Sequence, residues 1–388
     1  MIFNLLREVP MTINILPVRT EADKKAFYKF AFRVYHDDPY WVPPLWSQRK
    51  ETLDKKAAFF TYGEGEFWLA KEGKNIVGTI GTAVNPTRNR EKGWNAGTFG
   101  FFEVLPERYD AAKAMWEHAC DWCRSKGLTE LDGPYSFSAD ADPGFLVEGF
   151  QTLPSIMMGH NPAYYPEFAV RFGFEKLFEG LAYRFELSSI DYKLENIPEV
   201  LLKVAERAVR RHGLSVVRSP QMKDWDIEVV KLHAVYNKSL AVLPEFAPIE
   251  LAEFQASAAG LRSVMDPELV FIAEVDGKTA GFALGIPNFT EALRYANGLQ
   301  YPWDTLRLLL AQKKIKSVSF KILAIDPDFW GYGLEALMFV EMGKALIRKG
   351  YDWVDASLTN EFNPQTNKLD PRLGASVYRR YREFRLKL

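Results

Sequence analysis

Cysteine is almost absent: the 388 residues hold two, Cys120 and Cys123. They are too few for the disulfide framework of a small secreted fold. No run of about 18 apolar residues occurs, so no membrane-spanning helix is expected. Met1 to Pro10 lack the long apolar stretch and small-residue cleavage site of a signal peptide, and Met11 offers a second start. A cytoplasmic protein is the expectation. Excess charge of one sign is also missing, with 49 basic against 50 acidic residues and a net charge of -1. That argues against nucleic acid as the main partner. The histidines, His36, His118, His160, His212 and His233, form no ligand spacing. Cys120 and Cys123 fall inside a predicted helix with no second pair, which reads as packing rather than a zinc site. No metal is expected.

What is present is apolar bulk, 47% of residues, including 10 Trp and 28 Phe. Large cores account for it, and an apolar ligand channel is the alternative. The apolar residues are organised as an internal repeat. A strand and helix recur first, at Pro17–Thr20 opening Glu21 to Val34 and at Val216–Ser219 opening the stretch near 224–239. Thr20 with Asp23 has the pattern of a capping box. A hairpin follows: Phe67–Lys71 and Val270–Glu274 start strands that turn at Gly73 and Gly277 and return through Gly78 and Gly281. Both strands recur 203 residues apart. Next comes strand, helix, strand: Phe99–Val104, Asp110–Lys126 and Leu128–Leu131, then Val318–Ile325, Gly333–Lys349 and Tyr351–Ala356. Each copy closes with an asparagine, a glycine and a strand: Asn161, Gly173 and Leu181–Leu187, then Asn363, Gly374 and Val377–Leu388. This order defines an α/β chain with a mixed sheet in two halves, 1–187 and 188–388.

The element series resembles the GNAT superfamily of acyl-coenzyme A N-acyltransferases, over most of the chain. In that family the fourth strand leads into a loop with Arg or Gln, two residues, Gly, one residue, and Gly or Ala, which opens a helix. Its backbone N–H groups face the pyrophosphate of coenzyme A. The second half has Ala324-Ile325-Asp326-Pro327-Asp328-Phe329-Trp330-Gly331-Tyr332-Gly333-Leu334-Glu335 there. Gly333 falls on the family's first glycine. Trp330 replaces the Arg or Gln, and Glu335 replaces the second small residue. The resemblance therefore implies a cofactor site at Ala324, Ile325, Phe329, Trp330, Gly331, Tyr332, Gly333, Leu334 and Asn363. In the first half Glu103-Val104-Leu105-Pro106-Glu107-Arg108-Tyr109-Asp110 has no glycine, so that half is expected to have lost a standard pyrophosphate site. Glu361-x-Asn363, Leu373-Gly374-Ala375 and Tyr378-x-x-Tyr381-Arg382, with Gly100–Glu103 and Gly133–Ser136, resemble a group of bacterial tandem GNAT-like N-acetyltransferases. Some members of the broader group are associated with long-chain acyl transfer to sphingoid amines.

Amide formation from a thioester needs a deprotonated amine, an oriented carbonyl and a protonated leaving thiol, and no covalent enzyme intermediate. Glu361 is the expected base, and Tyr378 or Tyr381 the expected acid. Strand-face packing also accounts for the tyrosines. Glu103, Tyr135, Asp140, Asp142, Asn161, Tyr164 and Tyr165 are the expected acceptor-site residues. The long connection at 289–314, with Tyr295, Trp303 and a leucine-rich run at 306–310, reads as one more core helix, or else as a lid or channel wall. Lys313, Lys314 and Lys316 read as a solvated face. The functional expectation is transfer of an acyl group, from acetyl-coenzyme A or a longer thioester, to a primary amine of a small molecule. The alternatives are a fatty-acyl transferase acting on a lipid-like sphingoid amine, and a non-catalytic ligand-binding or structural protein. Peripheral contact with a membrane is compatible with either active form. The internal pseudo-symmetry stands in for a dimer, which points to a monomer.

Overall fold

A computed structural model describes residues 12–137, 144–212, 216–242, 248–262 and 265–388. The first half runs β1 (Ile13–Pro17), α1 (Glu21–Val34), α2 (Trp46–Thr52), β2 (Glu64–Glu72), β3 (Asn75–Val84), α3 (Pro86–Lys92), β4 (Ala96–Val104), α4 (Tyr109–Ser125), β5 (Glu130–Gly133), β6 (Phe145–Glu148), α5 (Tyr164–Phe172) and β7 (Glu175–Glu186). After the linking helix α6 (Glu199–His212) come β8 (Val216–Arg218), α7 (Trp225–Leu240), α8 (Leu251–Leu261), β9 (Val270–Val275) and β10 (Lys278–Pro287). The chain ends with α9 (Thr290–Leu293), α10 (Pro302–Ala311), β11 (Ser317–Ile325), α11 (Leu334–Lys349), β12 (Trp353–Asn360), α12 (Pro364–Arg372) and β13 (Ser376–Lys387). No helix among the described residues is long and apolar enough to cross a membrane.

Local chemistry explains the boundaries. Thr20 and Asp23 form the capping box that starts α1. Gly350 ends α11 at φ 72°, a left-handed conformation that costs glycine little, with Arg348 and Lys349 in the last turn. Each half has its own core. In the first, α4 lays Ala112, Met115, Trp116 and Cys123 on the sheet, and Trp116 stacks on Phe102 at 4.5 Å. In the second, Leu334, Leu337, Met338, Met342 and Leu346 of α11 form the aliphatic counterpart. Much of the aromatic content is thus packing. Burial pushes the Cys120 and Cys123 thiols up, to about 11 and about 12.

The halves share one sheet, in the order β1-β2-β3-β4-β5-β13-β7-β12-β11-β10-β9-β8, with β6 paired to β13. The two closing strands are exchanged. β13, the end of the second half, pairs with β5 of the first (Phe384 opposite Gly133), while β7 pairs with β12 (Phe185 opposite Val354). They meet each other at the centre, Tyr381 opposite Gly180. In both halves the parallel pair that precedes this exchange is short. β4 and β5 pair from Ala96 to Thr98, and β11 and β12 from Ser317 to Ser319. Beyond those three residues the strands part.

Candidate active site

The parting of β11 and β12 opens a cavity of about 380 Å³ at the junction of the halves. Its walls are largely apolar. They come from α7 and α8 (Leu232, Phe254), from β10 (Phe282, Leu284), and from Met157 and Met158 of the first half. Tyr135, Lys321, Ser357 and Glu383 are among the residues that give it polar character. Two backbone irregularities aim side chains here. Leu284 pairs with Ile322 and Gly285 with Phe320, so Lys321 is the extra residue of a bulge. Ser357 sits at φ 66°, in the left-handed region that side chains seldom occupy.

At the fork lies a buried polar cluster. Asp355 is fully buried and accepts hydrogen bonds from Ser319 Oγ and, at 3.1 Å, from Tyr378 Oη. Lys321 Nζ stands 3.8 Å from its carboxylate, and burial holds the Lys321 ammonium below the usual lysine range. On β13, Glu383 is 5% exposed and its Oε2 finds no hydrogen-bond partner among the described residues. Its neighbours explain why. Arg385 makes two 2.8 Å bonds to Asp132 and Arg88 Nη2 adds a third at 3.3 Å, so the bonds of both guanidinium groups go to another acid, although the Arg88 charge still acts on Glu383 through space. Burial lifts the Glu383 carboxyl well above the usual carboxylate range.

Of the residues expected from sequence, Tyr135 reaches the cavity, with Arg88 donating to its hydroxyl at 2.8 Å. Tyr378 lies against the wall, its hydroxyl 3.8 Å from Met158 Sδ. Tyr381 is buried, donating to the Gly159 carbonyl at 2.8 Å. Glu361 is elsewhere: its carboxylate accepts from Lys176 Nζ at 2.8 Å and from the Glu179 amide at 2.9 Å. Asn363 caps α12, accepting from the Thr366 amide. Asn161 braces β6 through Leu146, whose amide donates to it at 2.6 Å. Asp140 and Asp142 lie outside the described residues. Sequence reasoning missed Lys321 and Glu383, which belong to no motif; Lys321 is one residue of an alternating strand until the bulge is seen.

The expected cofactor loop keeps its backbone form. Gly331 and Gly333 both adopt φ 79°. At Gly331 an added Cβ would meet open space, whereas at Gly333 it would stand 3.0 Å from Val204 of α6. Leu334 is buried, and the rings of Phe329 and Tyr332 meet edge to face at 5.6 Å. Trp330 is 45% exposed and its indole donates to the Ile325 carbonyl at the end of β11, beside buried Ala324. Asp326 and Asp328 are held by Lys238 at 2.8 Å. The loop thus has two left-handed glycines and no cation at position 330. The matching place in the first half is filled by the chain itself. Tyr165 Oη accepts from the Val104 amide at 2.9 Å and donates to Glu103 at 2.7 Å, while Tyr164 donates to the Val104 carbonyl.

A sheet with parted parallel strands in each half, followed by a glycine-shaped loop and helix in the second, is the tandem GNAT fold. The solved structure of a tandem GNAT protein from the clavulanic acid biosynthesis pathway superposes with a TM-score of 0.58 at 14% identity, covering 97% of this chain and 98% of that one. No family model matches. Two relatives align along nearly the whole chain. The bacterial ceramide synthase of Caulobacter vibrioides is 29% identical over 389 residues, 96% of this chain and 97% of its own. Protein YghO of Escherichia coli is 25% identical over 366 residues, covering 93% and 92%.

Proposed function

We propose that the protein is an acyl-coenzyme A-dependent N-acyltransferase that acylates a primary amine, with one working site, in the second half. The observation that carries this reading is the cavity at the fork of β11 and β12, which holds a buried base and a buried acid in apolar walls. Gly331, where an added Cβ would meet open space, would admit the phosphates to the backbone, and the thioester supplies the activated carbonyl. When ionised, Glu383 at the cavity wall is suited to receive the acceptor's ammonium and take one of its protons. The C–N bond then forms as the C–S bond breaks. Lys321 is better matched than Tyr378 to return a proton to sulfur. Burial lowers the lysine, which eases loss of its proton, whereas it raises the Tyr378 phenol well above the usual tyrosine value. Tyr378 instead orients Asp355, which holds Lys321. The ammonium loses two protons on becoming an amide: one passes through Glu383 to solvent, and the second, shed by nitrogen as the C–N bond forms, restores the proton that Lys321 gives to sulfur.

A second reading is favoured by the walls. The aliphatic and aromatic lining suits a hydrocarbon tail, on the acyl donor or on a lipid-like amine, and the name of the Caulobacter relative points the same way. Thiol release, followed with acetyl- and palmitoyl-coenzyme A against a short amine and a sphingoid base, tests both. Turnover of palmitoyl-coenzyme A with the sphingoid base alone selects the lipid reading. No turnover and no calorimetric binding of either thioester at millimolar concentration defeats both.

A further inference from the structure

The connection between β10 and β11 was expected to add a core helix, a lid or a channel wall. Its helix α10 instead turns its apolar side outward. Trp303, Leu306, Leu309 and Leu310 are 55%, 58%, 55% and 69% exposed, and at this spacing they form one face. Tyr301 and Tyr295, each 43% exposed, extend the patch, and the Tyr301 ring stacks on Trp303 at 4.8 Å. The orientation is fixed from the other side. Asp304 is fully buried, accepts from the Tyr301 amide at 3.1 Å and pairs with Arg307 at 3.3 Å, and Ala311 is buried beside it. The apolar face is therefore held outward rather than left over from a loose loop.

Charge surrounds that face on one sign only. The segment 291–316 carries five cations, Arg294, Arg307, Lys313, Lys314 and Lys316, against two acids, Glu291 and Asp304. Both acids are engaged: Asp304 is buried, and Glu291 accepts from the Lys316 amide and from Ser317 Oγ. Lys314 sits over the Tyr295 ring at 4.1 Å, a cation beside an exposed aromatic.

We propose that α10 with Tyr295 and Lys313–Lys316 docks the protein in the headgroup layer of an anionic lipid membrane. An amphipathic helix with Trp and Leu on one face and Lys or Arg at its edge lies in the plane of such an interface, the apolar residues entering the acyl boundary and the cations meeting lipid phosphates. Tyr and Trp suit that depth because their rings are apolar with a polar tip. A second copy of the chain fits less well. Its matching surface would present the same cations, and the patch offers no free carboxylate to meet them. The proposal does not depend on which amine is acylated, or on whether catalysis occurs.

Flotation of the full chain with phosphatidylcholine vesicles, with and without phosphatidylglycerol, is the test. Wild type is expected to float with the anionic vesicles and to lose binding as salt rises. Leu306→Glu with Leu310→Glu should remove binding while leaving the thermal midpoint and the sedimentation coefficient unchanged, since both positions are exposed. Each of Lys313→Gln and Lys314→Gln should lower affinity by about fivefold. Three outcomes overturn the proposal: no flotation of wild type at low salt, equal flotation of the leucine variant, or a concentration-dependent dimer that the leucine variant abolishes while vesicles are ignored. Turnover of soluble substrates is a separate measurement, so its absence leaves this result readable.

Discussion

Lys321 Nζ lies 3.8 Å from Asp355 Oδ2 at the point where β11 and β12 part. Asp355 ties together groups that sequence separates: Ser319 on β11, Lys321 on its bulge, and Tyr378 on β13. A fully buried carboxylate with two hydroxyl donors and an ammonium 3.8 Å away is costly to remove, because these groups lose their acceptor and counter-charge in low dielectric. Asp355→Ala is expected to destabilise by about 3 kcal/mol or more in urea unfolding. Lys321→Met should cost less, since it removes a charge that burial already disfavours. Additive losses in the double variant would show that the two do not interact.

Glu383→Gln separates chemistry from stability. Turnover is expected to fall by about a hundredfold or more, as for loss of a general base. Stability should move the other way. The folded carboxyl is raised, so the stability linked to its protonation is present in acid and lost as pH rises through the folded value. The glutamine variant should therefore exceed wild type in thermal midpoint in alkaline buffer, and the gain should shrink in acid. A variant with full turnover at every pH would remove Glu383 from the reaction.

Asp370 gives a titration with a stated midpoint. Burial raises its carboxyl to about 6 from 3.8, and its Oδ2 has no partner among the described residues. The sign is as for Glu383: wild-type stability falls as pH passes upward through about 6. Asp370→Asn should remove that fall, gaining at most about 3 kcal/mol at pH ~8 and little at pH ~4. Parallel denaturation curves across this range for both proteins would contradict it.

Binding stoichiometry tests the asymmetry of the halves. Tyr164 and Tyr165 occupy the Val104 backbone edge in the first half, so calorimetry should give one equivalent of coenzyme A thioester per chain. Gly333→Val, which needs a left-handed valine against α6, should weaken binding and lower stability together; Gly331→Ala meets only the backbone cost of about 1 kcal/mol. Two equivalents would mean that the tyrosines move aside.

The exchanged strands predict mutual dependence of the halves. Fragment 1–187 expressed alone leaves β5 and β6 without β13 and strips β7 of both its neighbours, β13 and β12, exposing strand edges. It is expected to aggregate or to lack a cooperative transition, and co-expression with 188–388 should restore one. A stable monomeric 1–187 would argue that the exchange contributes little.

Much of the architecture was legible in the residues. The hairpins turning at Gly73 and Gly277, the capping box at Thr20 and the α11 stripe ending at Gly350 are local, and local propensity with apolar period suffices to read them. The glycine loop at 331–333 was found the same way, and so was its absence near Val104. In the 289–314 helix the leucines are visible in sequence but the face they present is not, so a core helix is the expectation with a lid or channel wall as the alternative; burial of Asp304 turns them outward.

Sequence by itself determined the duplication, the mixed α/β order and the difference between the two loops, because each depends on residues close together in the chain. Only the tertiary structure decided where the chemistry gathers. Glu361 looked suited to be the base, but Lys176 and the Glu179 amide already occupy its carboxylate. Glu383 sits in a strand of ordinary charged residues. It becomes a buried acid with an unbonded Oε2 because β13 crosses into the other half, where Arg385 and Arg88 bond Asp132. Desolvation and competition for partners are properties of the assembled sheet, and no spacing along the chain encodes them.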